Sequence, residues 1–332
     1  MDVTLIAVVV LGLGFDLSNG FHDSSNAIAA LVVTGAATPG QAVTLSAVFN
    51  LLGPVLAGTA VADTVGGIVT IGPAQTLAIL LAALIAGMAS NLLTWWRGLP
   101  SSSSHALVGG LIGAGLVTAG PSAIRWGGFD GLRPVGVLGV LAGLAVSPLL
   151  GAGAGWVAEV AARRAVRKAR RRIETPLRRG EWGTAAALAF AHGTNDAEKT
   201  MGVITLALVA AGSLSSFVVP LWVKVACASA LTVGSALGGW RVVRTIGRGI
   251  YRMRALDGLV SQGSSALVVG ASAMVGAPVS TTHVVASSVV GVGTARRRRH
   301  VRWPVVREIA LAWIVTLPAC AGLGAAVAGI GF

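Results

Sequence analysis

Two runs of polar side chains interrupt apolar stretches of this chain, and their residue types could bind an anion and a cation together. The first is Asp16, Asn19, His22, Asp23, Ser24, Ser25 and Asn26; the second is His192, Thr194, Asn195, Asp196, Glu198, Lys199 and Thr200. Two further segments, Ser101 to Ser104 and Ser280 to Thr282, each follow a Pro and precede a His. Their hydroxyls are donors placed where a half-helix would begin. Free backbone N–H groups and the positive dipole end there attract anions. Asp23 and Asp196, with Asn26 and Asn195, supply hard oxygen ligands for a small cation. A bare carboxylate repels an anion, so a cation or a proton must lie between the two. Four of the five His (His22, His105, His192, His283) fall in these motifs.

The elements that must position these groups are membrane helices. The 332 residues are 54% hydrophobic and 11% charged, with a mean hydropathy of +0.80. A soluble domain carries about 25% charged residues, so a soluble enzyme is excluded. The 46 Gly follow no collagen period and suit closely packed membrane helices. Cys227 and Cys320 lie in apolar runs and imply neither a disulfide framework nor a metal site. A span needs about 20 mostly apolar residues. Ten candidates qualify: 3–34 (interrupted), 41–62, 74–96, 102–119, 134–158, 184–211, 217–238, 259–276, 281–294 and 304–330. The start Met1-Asp2-Val3 has no basic region, so a cleaved signal peptide is not expected.

The formal charge of +13 resides mostly in short tracts: Arg163 to Arg179, Arg241 to Arg254, and Arg296 to Arg302. The loops at 62–75 and 212–216 carry no Lys or Arg. Placing the tracts in the cytoplasm leaves both bare loops outside, and both termini with them. The tracts therefore read as topology, and no nucleic-acid partner is expected. Trp95, Trp96, Trp182, Trp240 and Trp303, near span ends, read as interfacial anchors.

The chain resembles itself. Gly20-Phe21-His22-Asp23 aligns with Gly193-Thr194-Asn195-Asp196 at an offset of 173. Leu99-Pro100-Ser101-Ser102-Ser103-Ser104-His105 aligns with Ala277-Pro278-Val279-Ser280-Thr281-Thr282-His283 at an offset of 178, and the match runs on to Gly113/Gly291 and Gly115/Gly293. Each half has five spans, and an odd number inverts the second half. The expected fold is an all-α polytopic membrane protein of two inverted-topology repeats of about five segments each. Residues 1–162 form the first repeat, 163–182 a basic cytoplasmic linker, and 183–332 the second. Such repeats hold substrate near the midplane, between broken helices. The 14-residue span 281–294 is about 21 Å of helix, short for a core of about 30 Å. Half-helices meeting at Pro100 and Pro278 would form re-entrant hairpins, whose tips must line protein or water.

Blander readings compete with each feature. Ser and Thr in membrane helices often bond only a local carbonyl, but two matched runs after a Pro and before a His argue for more. Each membrane His is as much a packing group as a ligand. Lys224 can snorkel and is left outside the site, and Glu308 near a helix start is a dipole partner. No phosphate-binding Gly-Lys-Ser/Thr loop exists, so no direct ATP drive is visible. Ser104, His105 and Asp23 leave a membrane-embedded hydrolase formally open, yet every such group occurs twice. A catalytic triad needs no second copy, whereas alternating access does. An uncoupled anion channel is a weaker rival.

The run Phe15 to Ala27, the run His192-Gly193-Thr194-Asn195-Asp196-Ala197-Glu198-Lys199-Thr200-Met201-Gly202, and Pro278 to His283 resemble the inorganic phosphate transporter (PiT) family, in its bacterial low-affinity branch. The similarity extends over Thr94-Trp95-Trp96 to His105, Gly238-Gly239-Trp240-Arg241, and Trp313 to Pro318. The resemblance implies a non-enzymatic secondary transporter of inorganic phosphate, coupled to H⁺ or Na⁺, in the cytoplasmic membrane. It also implies a homodimer and no cofactor. It assigns phosphate to Ser103, Ser104, Thr281, Thr282, Asp23, Asp196 and Asn195. The coupling cation falls to Asp23, Asn26, Asp196, Asn195 and Glu198, and Na⁺, if used, would sit there. Sulfate or a metal–phosphate complex is the alternative cargo. The resemblance implies Gln where Glu198 stands, an extra carboxylate beside Asp196 that could alter coupling or pair with Lys199. The tip Ser101 to Ser104 is less regular than a Ser-Thr-Thr tip, which blurs which hydroxyls bind.

Overall fold

The computed structural model describes residues 3–69, 72–130, 133–168, 173–237 and 239–331. Met1, Asp2, Arg170, Arg171, Arg172, Gly238 and the side chains of Ser24 and Ser25 lie outside the described residues. Twelve α-helices run through the described chain: α1 (Val3–Val33), α2 (Pro39–Leu56), α3 (Ala60–Gly66), α4 (Pro73–Arg97), α5 (Ser103–Ala119), α6 (Gly136–Ala165), α7 (Glu174–Ala210), α8 (Leu221–Leu237), α9 (Trp240–Arg244), α10 (Ala255–Met274), α11 (Thr281–Arg297) and α12 (Trp303–Gly329). A π-helical turn, Thr245–Ile250, prolongs α9. A two-residue ribbon, Phe129–Asp130 on Arg133–Pro134, precedes α6.

Nine of the ten sequence spans each fall on one helix, while 41–62 runs from α2 across the break at 57–59 into α3. Among the described residues, five helices are long and apolar enough to cross a membrane by themselves: α1, α2, α4, α6 and α12. The bent pair of α8 with α9 and its π turn, broken by 63°, makes a sixth. α7 is long enough but carries the second polar run, and α5 and α11, at 17 residues each, are too short. The outer faces of α6 and α12 expose Leu138, Leu149, Val157, Leu311, Ile314 and Val315, the apolar surface a lipid contact requires.

Local sequence explains the element ends. Thr38 caps α2 in a reciprocal pair with Gln41, and Pro39 opens the helix. α4 stops at Gly98, whose φ of +68° suits only a residue without Cβ, and α10 is followed by Gly276 at +69°. These glycines are 178 residues apart. Each is followed by a non-helical Pro-containing stretch and a capping Ser. Ser102 accepts from the His105 N–H at 3.2 Å, and Ser280 from the His283 N–H at 3.3 Å. Both halves thus build the same helix–break–helix tip from equivalent residues.

The packing partners cross between the halves. α1 packs on α8, and α7 on α2; α5 packs on α12, and α11 on α6. A Cβ at Gly113 would overlap the Ala321 carbonyl of α12, and one at Gly291 the Ala152 carbonyl of α6. These backbones touch because lipid gives apolar side chains little reason to associate, so close small-residue packing must do it. Two apolar clusters form, one around Phe15, Leu80, Leu107 and Met201, the other around Ile28, Leu188, Val243 and Val285. α1 and α7 pass through both. Their polar runs, Asp16 to Asn26 and His192 to Thr200, lie between the two clusters.

Candidate functional site

The polar run of α1 meets both hairpin tips. Asp23 Oδ2 accepts from Ser103 Oγ at 3.1 Å, and Asp23 Oδ1 accepts from Thr282 Oγ1 at 2.8 Å. Asn26 Nδ2 donates to Thr282 Oγ1 at 2.9 Å. His22 Nδ1 lies 2.8 Å from Asp23 Oδ1, while its Nε2 lies 3.0 Å from Thr94 Oγ1 and 3.3 Å from Ser101 Oγ. The α7 run repeats the scheme from the other side. Asp196 Oδ2 accepts from Thr281 Oγ1 at 2.9 Å, and His192 Nδ1 lies 3.0 Å from the same oxygen. Lys199 Nζ donates to Asp196 Oδ1 at 2.5 Å, Ser104 Oγ at 2.7 Å and the Val279 carbonyl at 3.1 Å. All these side chains except Thr94 are buried.

Seven of the sequence-named residues form two hydrogen-bonded groups, Asp23 with Ser103, Thr282 and Asn26, and Asp196 with Thr281 and, through Lys199, Ser104; the groups are neighbours because Ser103–Ser104 and Thr281–Thr282 are adjacent in the chain. Asn195 lies in the same turn of α7, fully buried, and neither its Oδ1 nor its Nδ2 has a partner. Asn26 Oδ1 is also buried and unpartnered. A buried amide group left unbonded costs roughly 1–3 kcal/mol. Asp16, from the first polar run, accepts from Thr200 Oγ1 at 2.5 Å and joins α1 to α7 beside this layer.

Glu198 goes elsewhere. Residues 196 and 198 are two apart on a helix and cannot share a face. Glu198 Oε2 accepts from the Val61 N–H at 2.8 Å, at the first turn of α3. Of the two alternatives for Glu198, pairing with Lys199 is not found, because the ammonium is bound to Asp196. His105 and His283 stack at 4.7 Å between centroids, and His283 lies 3.9 Å from Trp313. That stack joins the first turns of α5 and α11. Trp313 Nε1 also donates to the Pro100 carbonyl at 2.9 Å.

A second cluster escaped the sequence reading. On the face bearing the arginine tracts, Asp257 Oδ2 accepts from Arg296 at 2.7 Å, the Arg254 N–H at 2.9 Å and Tyr251 Oη at 3.0 Å. Burial pushes the Tyr251 phenol up to about 12, with the Asp257 charge adding to it. Thr34 Oγ1 donates to Glu181 Oε2 at 2.6 Å nearby. Thr34, Tyr251, Arg254, Asp257 and Arg296 border a cavity of about 950 Å³ with Arg163, Arg178 and Arg252 on its wall. A lone acid inside a basic tract, such as Asp257 after Arg254, was the available signal. Among the described residues, no group of three or more His, Cys, Asp and Glu side chains could hold a metal ion.

Two broken-helix tips set against buried carboxylates between apolar layers give this helical membrane protein the build of a transport protein. The chain belongs to the phosphate transporter family, whose profile matches residues 19–324. It is 44% identical to a probable low-affinity inorganic phosphate transporter of Mycobacterium bovis, over 98% of this chain and 77% of that one. Its identity to a Bacillus subtilis protein of the same description is 37%, over 98% and 97%. A solved structure of a sodium-dependent phosphate transporter shares the fold, with a TM-score of 0.87, 24% identity and 99% of both chains covered.

Proposed function

We propose that this chain carries inorganic phosphate across the cytoplasmic membrane together with H⁺ or Na⁺, by alternating access. The observation that carries the reading is the direct bonding of tip hydroxyls to the two buried aspartates. Phosphate arriving between the tips takes those hydroxyls and the first-turn N–H groups of α5 and α11 as its donors. Asp23 then loses Ser103 and Thr282 together. A carboxylate stripped of donors beside an anion must acquire a cation or a proton. Substrate binding and cation binding are thereby tied. Asn195 and the free oxygen of Asn26 stand ready in the same layer.

The matched glycine breaks, the matched capping serines and the exchanged helix pairs support two inverted repeats, residues 1–162 and 183–332, joined by the basic segment 163–182. The tips at Pro100 and Pro278 are then re-entrant hairpins. The Arg tracts support a cytoplasmic linker with both termini outside. Two chains form the working unit, as the family resemblance implies. Labelled phosphate uptake into proteoliposomes, with pH and Na⁺ gradients imposed separately, tests the transport reading. Accumulation under one gradient is the expected result. Phosphate flux that neither gradient can concentrate would overturn it.

A further inference from the structure

Lys199 stands where the repeat places a counterpart of Asn26, since 26 plus the offset of 173 is 199. The partners also correspond. Asn26 bonds Thr282, and Lys199 bonds Ser104, which lies 178 residues before Thr282. Each half thus builds an equivalent pocket of oxygens. The first has the Asp23 carboxylate, the Thr282 hydroxyl and the unpartnered Asn26 Oδ1. The second has the Asp196 carboxylate, the Ser104 hydroxyl and the Val279 carbonyl. Carboxylate, hydroxyl and carbonyl oxygens are the ligands that hard cations such as Na⁺ take.

In the second pocket all three ammonium protons are used, one on each oxygen. We propose that Lys199 is a tethered cation, filling in the second half the cage that the first half leaves to a mobile one. The chain then couples phosphate to one cation fewer than two open cages would. The inference rests on the cation-coupled reading above. It adds that the asymmetry between position 26 and position 199 sets the cation count. Lys199 neutralises Asp196 permanently, so that carboxylate does not exchange its cation during the cycle.

The test is Na⁺ binding to purified protein in the absence of phosphate, so that failure of phosphate transport is read separately in wild-type uptake. Radioactive Na⁺ bound per chain is measured for wild type, Lys199→Asn and Lys199→Met, with melting in Na⁺ or choline at equal ionic strength. Each variant is expected to bind one more Na⁺ per chain than wild type and to melt higher in Na⁺ than in choline. A variant that folds only in Na⁺ gives the same support. An unchanged Na⁺ count, or equal melting or equal unfolding in both salts, would overturn the proposal and leave Lys199 as a plain ion-pair partner of Asp196.

Discussion

Asp23 and Asp196 occupy equivalent places in the two halves, yet neutralising them has different consequences. Asp23→Asn removes a carboxylate held by two hydroxyls and His22. The amide keeps one acceptor oxygen, so one hydroxyl retains a partner and the fold loses about 1–3 kcal/mol. The coupling cation loses its only full negative charge in that cage. At about 4 Å and an effective dielectric of about 20 that attraction is roughly 4 kcal/mol, close to a thousandfold in cation affinity. Asp196→Asn instead strands the Lys199 ammonium, 2.5 Å away and buried. Breaking a buried pair by removing one partner costs about 3–5 kcal/mol. Melting in detergent and phosphate accumulation in proteoliposomes separate the two. Asp23→Asn should melt modestly below wild type and fail to accumulate phosphate, while Asp196→Asn should melt lower still. Equal melting of the two variants, or gradient-driven accumulation by Asp23→Asn, would refute the reasoning.

Other perturbations follow from the same contacts. Asn195→Ala removes an amide that bonds nothing in the resting fold; it should melt no lower than wild type and raise the apparent Km for phosphate about tenfold or more, the worth of one bond to a charged group. Gly113→Ala and Gly291→Ala press a methyl on the Ala321 and Ala152 carbonyls and should each destabilise by about 1–3 kcal/mol, whereas Gly40→Ala, with open space around it, should not; equal melting of all three would show that the helices separate freely. Arsenate should compete well with labelled phosphate and sulfate poorly, because phosphate near neutral pH brings an O–H for an aspartate to accept; equal inhibition by sulfate would remove that basis for selectivity.

α1, α2, α4, α6 and α12 were legible because lipid demands long apolar helices, which hydropathy finds. The tips were legible because Pro100 and Pro278 break helices, and Ser or Thr after them caps the next one. Less visible was α3, whose seven residues carry too little periodicity to stand out. The π turn after α9 was hidden for a similar reason, since Thr245–Ile250 has a sequence an α-helix accepts. Grouping Glu198 with Asp196 ignored that neighbours two apart diverge around a helix. The Asp257 cluster joins the turn before α10 to the last turn of α11, a pairing that only the tertiary fold produces.

The repeat explains both what matches and what must differ. A fold made of two like halves brings two tips to one place, because each tip is carried by equivalent packing on the other half's helix. Equal halves would also bring two equal carboxylate cages to one anion. Two of the divergences at that contact alter charge or donor count, His22 against Asn195 and Asn26 against Lys199, whereas Ser103-Ser104 against Thr281-Thr282 keeps the hydroxyls and adds only methyl groups. Both halves set a His against the aspartate, His22 on Asp23 and His192 on Asp196, and the first half leaves Asn26 Oδ1 unbonded where the second has Lys199. The second half holds its aspartate with a permanent ammonium. On the tethered-cation proposal, the first half exchanges the coupling cation, and the second contributes a fixed neutral pair whose tip hydroxyls turn to the substrate.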